Sequence, residues 1–233
     1  MRISIIQPGY LPWLGFFELM YNCDLFVIFD DVQYTKKDWR SRNRIRSKNG
    51  WLWLTVPVLT KGKRFQLISE ARINYSTNWQ LKHLRTLEIN YHKAKYFKEY
   101  FCSFKEILSR KHDYLINLDL EIIYWFSQGL GIDRPVLKSS TLKTSGKREE
   151  RIIEICKKLG ARELYDSKAA SFFLNAEDFK NEGINVIFQD YSHPVYTQVY
   201  KPFVPYMSTI DLLFSHGADS LAIILNKFNS HET

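Results

Sequence analysis

Four side chains in this sequence could carry acid–base chemistry, and each comes soon after a short apolar run: Tyr10, Asp30, Asp31 and His193. Carboxylates and imidazoles can take a proton from an attacking nucleophile, and a phenol can stabilise a developing negative charge by hydrogen bonding. If the fold groups these side chains, they could activate an amine. We predict them as the catalytic candidates.

The apolar runs before the candidates predict strands of a parallel sheet: Ile3 to Ile6, Leu25 to Phe29 and Asn185 to Gln189. Because the carboxyl ends of parallel strands lie at one edge of a sheet, we expect one of the two aspartates to meet Tyr10 and His193 in a single pocket. A carboxylate beside the imidazole would fix its tautomer and raise its pKa. Adjacent residues of a strand point to opposite faces, so only one aspartate would reach the substrate.

A basic segment follows the second apolar run. The chain has a formal net charge of +8. Between residues 36 and 48, where Asp38 is the one acid, the basic residues are Lys36, Lys37, Arg40, Arg42, Arg44, Arg46 and Lys48. From residue 40 they recur at every second position, which predicts one positive face on an extended segment. The following Asn49-Gly50 favours a hairpin turn. We predict Arg42 and Arg44 as phosphate ligands, with a solvated, charge-protected edge strand as the alternative.

Lys147 is a further phosphate candidate. It ends the segment Thr144-Ser145-Gly146-Lys147, which precedes a predicted helix from Arg148 to Leu159 that Ser145 would cap. Helix N-termini attract anions, so a Ser-Gly-Lys sequence there can seat a phosphate. The segment lacks the full pattern of a P-loop.

The order of the elements predicts an α/β fold with a mostly parallel sheet and flanking helices. The basic segment and the apolar run after it predict a β-hairpin near residues 40–58, and apolar stripes predict a helical block at residues 77–128. The last apolar stretch, Ala218 to Phe228, predicts a helix. The 233 residues can form a substantial core. We expect a single domain spanning residues 1–233, with residues 77–128 as a helical insertion or subdomain.

The spacing of cysteines and histidines predicts neither disulfides nor a metal site. The chain has 3 cysteines, widely separated and without a C-x-x-C pair. His83, His92 and His112 lie at spacings that fit no helical metal pair. No apolar run approaches the ~18 residues of a membrane span, and the N-terminus lacks a signal-peptide pattern. We expect a cytoplasmic protein without a membrane span.

Motifs along almost the whole chain resemble the WbqC-like proteins, which are found among bacterial surface-polysaccharide genes. The N-terminal matches are Gln7-Pro8, Tyr10 to Gly15, Asp30 to Gln33, Trp39, Arg42-Asn43, Trp53 to Pro57, Trp79 and His83. The later matches are Ser139-Ser140, Gly146-Lys147, Leu159 to Ala161, Tyr191, His193-Pro194, Tyr196, Gln198 and Ile210 to Phe214. Two segments depart from the family pattern. Arg148-Glu149 replaces an expected Thr-Glu after Lys147, and Asp166-Ser167 stands where the family has Ser-Gly.

The resemblance implies an enzyme that transfers an activated aminoacyl group, glycyl as the leading choice, to the amine of a nucleotide-linked amino sugar in O-antigen-type biosynthesis. Asp30 or Asp31, with His193 in reserve, would remove the amine proton. The predicted substrate-binding residues are Gln7, Trp13, Gln33, Trp39, Asn43, His83, Tyr196 and Gln198. The motifs do not specify the donor, and an aminoacyl-tRNA is one candidate. This hypothesis requires no cofactor.

Two alternatives stay open. In the first, the protein is an adenylate-forming ligase or a nucleotidyltransferase-like enzyme, in which an aspartate holds Mg²⁺ and Lys147 holds a phosphate of ATP. In the second, the basic hairpin with Trp51 and Trp53 forms a non-catalytic nucleic-acid-binding module.

Overall fold

A computed structural model describes residues 1–227 and contains a central five-stranded parallel sheet. Its strands are β1 (Arg2–Ile6), β2 (Leu25–Ile28), β5 (Val136–Lys138), β6 (Glu163–Asp166) and β7 (Asn185–Phe188), and a separate hairpin consists of β3 (Arg42–Ser47) and β4 (Gly50–Thr55). The spatial order in the sheet is β5-β2-β1-β6-β7. The predicted α/β class, parallel sheet and hairpin are therefore confirmed.

Helices cover both faces of the sheet. They are α1 (Leu14–Tyr21), α2 (Trp79–Tyr91), α3 (Phe97–Ser109), α4 (Leu115–Leu130), α5 (Glu149–Leu159), α6 (Ala176–Asn181), α7 (Thr209–His216) and α8 (Ser220–Ile224). The predicted helical block corresponds to α2, α3 and α4, while its standing as an insertion within one domain remains a prediction. The last predicted helix is shorter than expected, and Phe228 lies outside the described residues.

The strands alternate their side chains between two cores. Phe26 and Ile28 pack with α1, the helical block and α7, whereas Val27 packs on the opposite face with α5 and α6. Burial of both faces explains why these strands are continuous apolar runs in the sequence. Cys23 and Cys156 are buried in these cores, and all three cysteines are free thiols. No helix within residues 1–227 is long and apolar enough to cross a membrane.

The strand order reverses direction at β1. The chain moves from β1 to β2 on one side and later returns to place β6 on the other side. The pairing of β1 with β2 continues to Ile6 opposite Ile28, but its pairing with β6 ends at Ile3 opposite Leu164. The carboxyl ends of β1 and β6 therefore separate, and this switch point is where open α/β sheets form ligand crevices.

The hairpin corrects the expectation of five cations on one exposed face. β3 begins at Arg42, so Arg40 precedes the strand, and Lys48 lies in the turn. Arg46 is only 1% exposed, and its guanidinium donates to the carbonyl oxygens of Tyr200 (3.2 Å) and Pro202 (2.8 Å). The two-residue period identified an extended segment, but it did not distinguish structural from accessible arginines.

Candidate active site

A cavity of about 570 Å³ opens at the switch point between β1 and β6. The ends of both strands contribute to it, through Ile5 and Ile6 of β1 with the following Gln7, and through Asp166 at the end of β6 with the following Ser167. Its volume lies within the range of small-molecule binding sites. We call it the switch-point cavity.

Asp166 supplies the acidic group of the switch-point cavity. Its side chain is 7% exposed, and Oδ1 accepts a hydrogen bond of 2.6 Å from the N–H of Ser167. Within residues 1–227 it has no cationic partner. Burial raises the pKa of the Asp166 carboxyl to about 6, and the hydrogen bonds from Ser167 only partly oppose this shift. The group can therefore both accept and release a proton near neutral pH.

Gln7 and Arg40 supply a polar, cationic side of the same cavity. The Arg40 Nε donates to Gln7 Oε1 at 2.7 Å, and its Nη1 forms a 2.6 Å ion pair with Asp38. Burial lowers the pKa of Arg40, although nearby Asp38 opposes the effect. The amide nitrogen of Gln7 has no partner within the described chain, so it is available to a ligand. The sequence shows Arg40 as one of several basic residues, but no sequence signal marks it as a site residue.

Arg44 extends the cationic side from the hairpin. It donates from Nη2 to the carbonyl oxygen of Tyr206 at 3.2 Å, while its buried Nε has no partner within residues 1–227. Burial lowers its pKa. Trp13, Trp39 and Tyr206 add aromatic surfaces to the lining. The cavity thus combines one acid with guanidinium groups and rings.

The loop after β1 packs closely against neighbouring segments through contacts that involve backbone carbonyl groups. A Cβ on Gly9 would lie 2.9 Å from the carbonyl oxygen of Trp39, so a side chain there would force the two loops apart. Asn43, which is 2% exposed, donates from Nδ2 to the carbonyl oxygen of Leu11 at 2.6 Å. The Trp13 ring covers Gly15, because a Cβ added to Gly15 would lie 2.4 Å from ring atoms of Trp13. A ligand therefore has no space to approach the Gly15 backbone. Asn43 therefore positions the loop, and Gly15 allows Trp13 to pack closely.

The WbqC-like protein family model matches residues 7–223. The chain belongs to this family. A relative from Mycobacterium tuberculosis (strain ATCC 25618 / H37Rv), named "Uncharacterized protein Rv1507c", is 35% identical over 221 residues, which cover 94% of this chain and 95% of the relative. No solved structure matches the chain. The motif residues of this WbqC-like protein can now be placed around the cavity.

Asp30 and Asp31 hold neighbouring elements together and do not line the switch-point cavity. Asp30 is 1% exposed and accepts hydrogen bonds from the backbone N–H (3.0 Å) and hydroxyl (2.8 Å) of Ser140. Asp31 pairs with Arg151 of α5 and accepts from the Ser139 hydroxyl at 2.5 Å. These contacts connect the end of β2 to β5 and α5, so both carboxylates already have partners.

Tyr10 and His83 form a buried pair that is not part of the cavity lining. The Tyr10 hydroxyl lies 2.9 Å from Nδ1 of His83, and both side chains are at most 4% exposed. Burial lowers the pKa of His83 to about 4 and raises the pKa of Tyr10 well above its usual value. The histidine is thus neutral at pH 7 and can accept the phenol proton in a hydrogen bond.

His193 lies in a loop beside Tyr206, and within the described residues it forms no hydrogen bond or ion pair with either aspartate. Its Nε2 accepts a hydrogen bond of 3.1 Å from the N–H of Tyr206, and its Nδ1 lies 2.8 Å from the carbonyl oxygen of Pro194. These contacts define a neutral tautomer with the proton on Nδ1. Burial lowers its pKa, the opposite of the expected carboxylate pairing. The expectation that one pocket unites the four candidates is therefore corrected, because the aspartates share Ser139, Tyr10 pairs with His83, and His193 bonds Tyr206.

Tyr196 and Gln198 belong to a buried network around Asp211. Tyr196 donates its hydroxyl to Oδ2 of Asp211 at 2.9 Å, and Gln198 donates from Nε2 to the same oxygen at 2.9 Å. Tyr91 donates to Oδ1 at 2.8 Å. Through the Gln198 Oε1, which lies 3.3 Å from Nε of Arg46, this network connects the hairpin to α2 and α7.

The remaining predicted contacts lie outside the cavity lining. The Arg42 guanidinium stacks over Trp53, with Cζ 4.2 Å from the ring centroid. Gln33 is exposed and donates to the carbonyl oxygen of Arg64 at 3.1 Å. Lys147 is exposed just before α5, where Ser145 bonds Glu154 and does not cap the helix. Of the predicted substrate and phosphate ligands, the cavity lining contains Gln7, Trp13, Trp39, Asn43 and Arg44.

Proposed function

We propose that this WbqC-like protein transfers an activated aminoacyl group to the amine of a nucleotide-linked amino sugar, and that the transfer takes place in the switch-point cavity. The resemblance to proteins of bacterial surface-polysaccharide gene sets supports this class of acceptor. The observation that carries the proposal is the occurrence of a proton-accepting carboxyl and two guanidinium groups in one cavity.

Asp166 is the group that receives the amine. Above pH 6 it is mainly ionised, so it attracts the ammonium form of an amino sugar and later accepts a proton from the attacking nitrogen. A carboxyl with an ordinary pKa would be a weaker base near neutral pH. Because the family pattern has Ser-Gly at this position, we attribute to Asp166 a role in selecting the substrate of this particular chain as well as in proton transfer.

Arg40 and Arg44 bind the diphosphate of the acceptor. Guanidinium groups present five donors and form paired, charge-assisted hydrogen bonds to phosphate oxygens. Arg44 uses one donor on Tyr206, and Asp38 together with Gln7 orients Arg40. The rings of Trp13 and Trp39 provide stacking surfaces for the base or the sugar.

The reaction conserves atoms and charge. The bound ammonium first loses one proton to solvent. The neutral amine then attacks the acyl carbonyl carbon, and Asp166 takes a second proton from the nitrogen as the C–N bond forms. The amide N–H groups of Gln7 stabilise the developing oxyanion. The bond between the carbonyl carbon and the donor's oxygen or sulfur then breaks, and the proton held by Asp166 passes to that leaving group.

Mass spectrometry can test this function. The purified protein is incubated with a panel of amino-sugar nucleotides and with activated amino acids presented as thioesters or as aminoacyl-tRNA. We expect one acceptor to gain the mass of one aminoacyl residue. The same panel with the amine of each sugar acetylated is the matched control, because the nucleophile is then blocked.

Three results would contradict all or part of the proposal. Absence of any product across the panel would remove the transferase reaction, and amino-acid-dependent pyrophosphate exchange with ATP would support the ligase alternative. Product formation that is unchanged in Asp166→Asn would keep the reaction but move it away from this carboxyl.

A further inference from the structure

The geometry points to a binding surface for the single-stranded 3′ end of an aminoacylated RNA on the outer face of the hairpin, beside the switch-point cavity. The inference rests on the proposed transferase function and specifies its acyl donor. We call this surface the Arg–Trp face and define it by Trp39, Arg42, Arg44, Trp51 and Trp53.

Three partly exposed tryptophans form the stacking part of the Arg–Trp face. Trp39, Trp51 and Trp53 are 46%, 42% and 37% exposed. Trp53 lies between the others, with ring centroids 5.4 Å from Trp39 and 5.5 Å from Trp51. Large apolar rings that remain in solvent side by side are typical of surfaces that stack on unpaired bases.

Two arginines alternate with these rings. The Cζ of Arg42 lies 4.2 Å from the Trp53 centroid, and the Cζ of Arg44 lies 5.4 Å from Trp51 and 5.6 Å from Trp39. Neither arginine forms an ion pair within residues 1–227, and the Nε of each lacks a partner there. Cations held against rings without a neutralising acid match a ligand that has both bases and phosphates.

The Arg–Trp face is continuous with the cavity. Trp39 and Arg44 belong to both, so an RNA end stacked on Trp51 and Trp53 would lead its terminal ribose towards Asp166. The aminoacyl ester on that ribose would then meet the bound amine. As the C–N bond forms, the ester C–O bond breaks, and the ribose hydroxyl leaves with the proton from Asp166.

Single-stranded RNA fits this surface better than the other ligand classes. Base pairs hide their faces in a duplex, so ring stacking requires unpaired nucleotides. A neutral glycan would stack on tryptophan but leave Arg42 and Arg44 without counter-charges. A free nucleotide would fill the cavity without needing Trp51, which lies outside the lining.

Fluorescence anisotropy tests the binding. The probe is a fluorescein-labelled single-stranded oligoribonucleotide ending in CCA, titrated with the full-length protein at two salt concentrations. We expect Trp51→Ala and Trp53→Ala to weaken binding roughly 5- to 100-fold, the range for loss of one base–aromatic stack. Trp51→Phe keeps a ring and should retain most of the affinity. Exposed Tyr124→Ala is the matched aromatic control.

The charge contribution has its own pair of variants. Arg42→Gln should weaken binding and reduce its salt dependence, whereas exposed Arg85→Gln removes the same charge from α2 and should leave binding unchanged. Equal weakening by both variants would show non-specific attraction and overturn the inference. Equally effective competition by inorganic polyphosphate or by a neutral maltooligosaccharide would also overturn it.

A transfer assay separates this inference from the proposed function. Trp51→Ala should slow transfer from aminoacyl-tRNA and leave transfer from a small aminoacyl thioester unchanged. If the wild-type protein uses the thioester but does not bind the oligoribonucleotide, the RNA surface is wrong and the transferase function stands. If neither donor is used although the oligoribonucleotide binds through Trp51, the transferase function fails and the proposed role of this surface in donor supply fails with it.

Discussion

Two strands of the sheet end in carboxylates, and the two ends differ in what surrounds the acids. After β2, Asp30 and Asp31 accept hydrogen bonds from serines, and Arg151 neutralises Asp31. At the end of β6, Asp166 accepts only from Ser167 within the described residues and lines a cavity. Asp30 and Asp31 therefore connect elements of the fold, whereas Asp166 is accessible to a ligand in the cavity.

The comparison shows that position at a strand end is insufficient to identify a reactive acid. All three aspartates occupy the edge where α/β proteins bind ligands. What distinguishes them is the number of hydrogen-bond donors and cations around each carboxyl group. Such partners stabilise a carboxylate in its charged form, whereas burial without them does not. Asp166 is therefore the acid whose removal should affect chemistry most.

The largest effect is expected for Asp166→Asn. Loss of the proton acceptor should reduce kcat/KM for aminoacyl transfer by on the order of 10²- to 10⁴-fold, as for other general bases. Steady-state kinetics at about pH 7.5, where the wild-type carboxyl is mainly ionised, would measure it. A variant as active as the wild type would place the base elsewhere.

Asp166→Ser refines this comparison, because it restores the residue of the family pattern. We expect Asp166→Ser to lower kcat/KM for the substrate of this chain, as Asp166→Asn does. A changed preference among the acceptors of the panel would support a role of Asp166 in substrate selection. Asp24→Asn is a control that removes an acidic side chain at the opposite, amino-terminal end of β2, where Asp24 bonds the N–H of Arg2.

A smaller effect is expected for Arg40→Gln. The loss of charge-assisted hydrogen bonds to phosphate should raise KM for the acceptor nucleotide roughly 10- to 100-fold while kcat changes less. Exposed Arg162→Gln removes the same charge outside the cavity and should have no such effect. Equal KM values for Arg40→Gln and the wild type would exclude Arg40 from phosphate binding.

For Asp31→Asn we expect the smallest effect on transfer activity and a clear loss of stability. The change removes the charge that holds Arg151 and weakens the contact with Ser139, so the free energy of unfolding should fall by ~1–3 kcal/mol. Urea denaturation would measure this loss, and kinetics well below the melting temperature should retain transfer. Normal stability with abolished transfer would reverse the roles assigned to the two strand ends.

Much of the fold could be predicted from local sequence. The apolar runs identified β1, β2 and β7, and the Asn49-Gly50 turn with its flanking pattern identified the hairpin. The helical stripes identified α2 to α4 because their periodicity is a local property. Gln7 and Trp13 could be placed near the cavity because they follow a predicted strand, whereas Trp39 was identified as a site residue through the resemblance to the family.

The partners of the acids could not be predicted, because they lie far along the chain. Asp30 meets Ser140 across 110 positions, and Asp31 meets Arg151 across 120. The buried position of Arg46 depends on carbonyl groups more than 150 positions away. The sequence offers one signal for Asp166, an acid where the family pattern has serine, and this signal indicates a departure from the family without indicating a role.

The most direct test of the central claim is an NMR titration of the Asp166 carboxyl carbon in protein labelled with ¹³C-aspartate, assigned by comparison with Asp166→Asn. In the free protein the midpoint should lie at about pH 6, because burial disfavours the ionised form. Addition of an amino-sugar nucleotide should lower the midpoint, since a nearby ammonium favours the carboxylate. A midpoint near 4 in the free protein, unchanged by any amino-sugar nucleotide of the panel, would contradict the account.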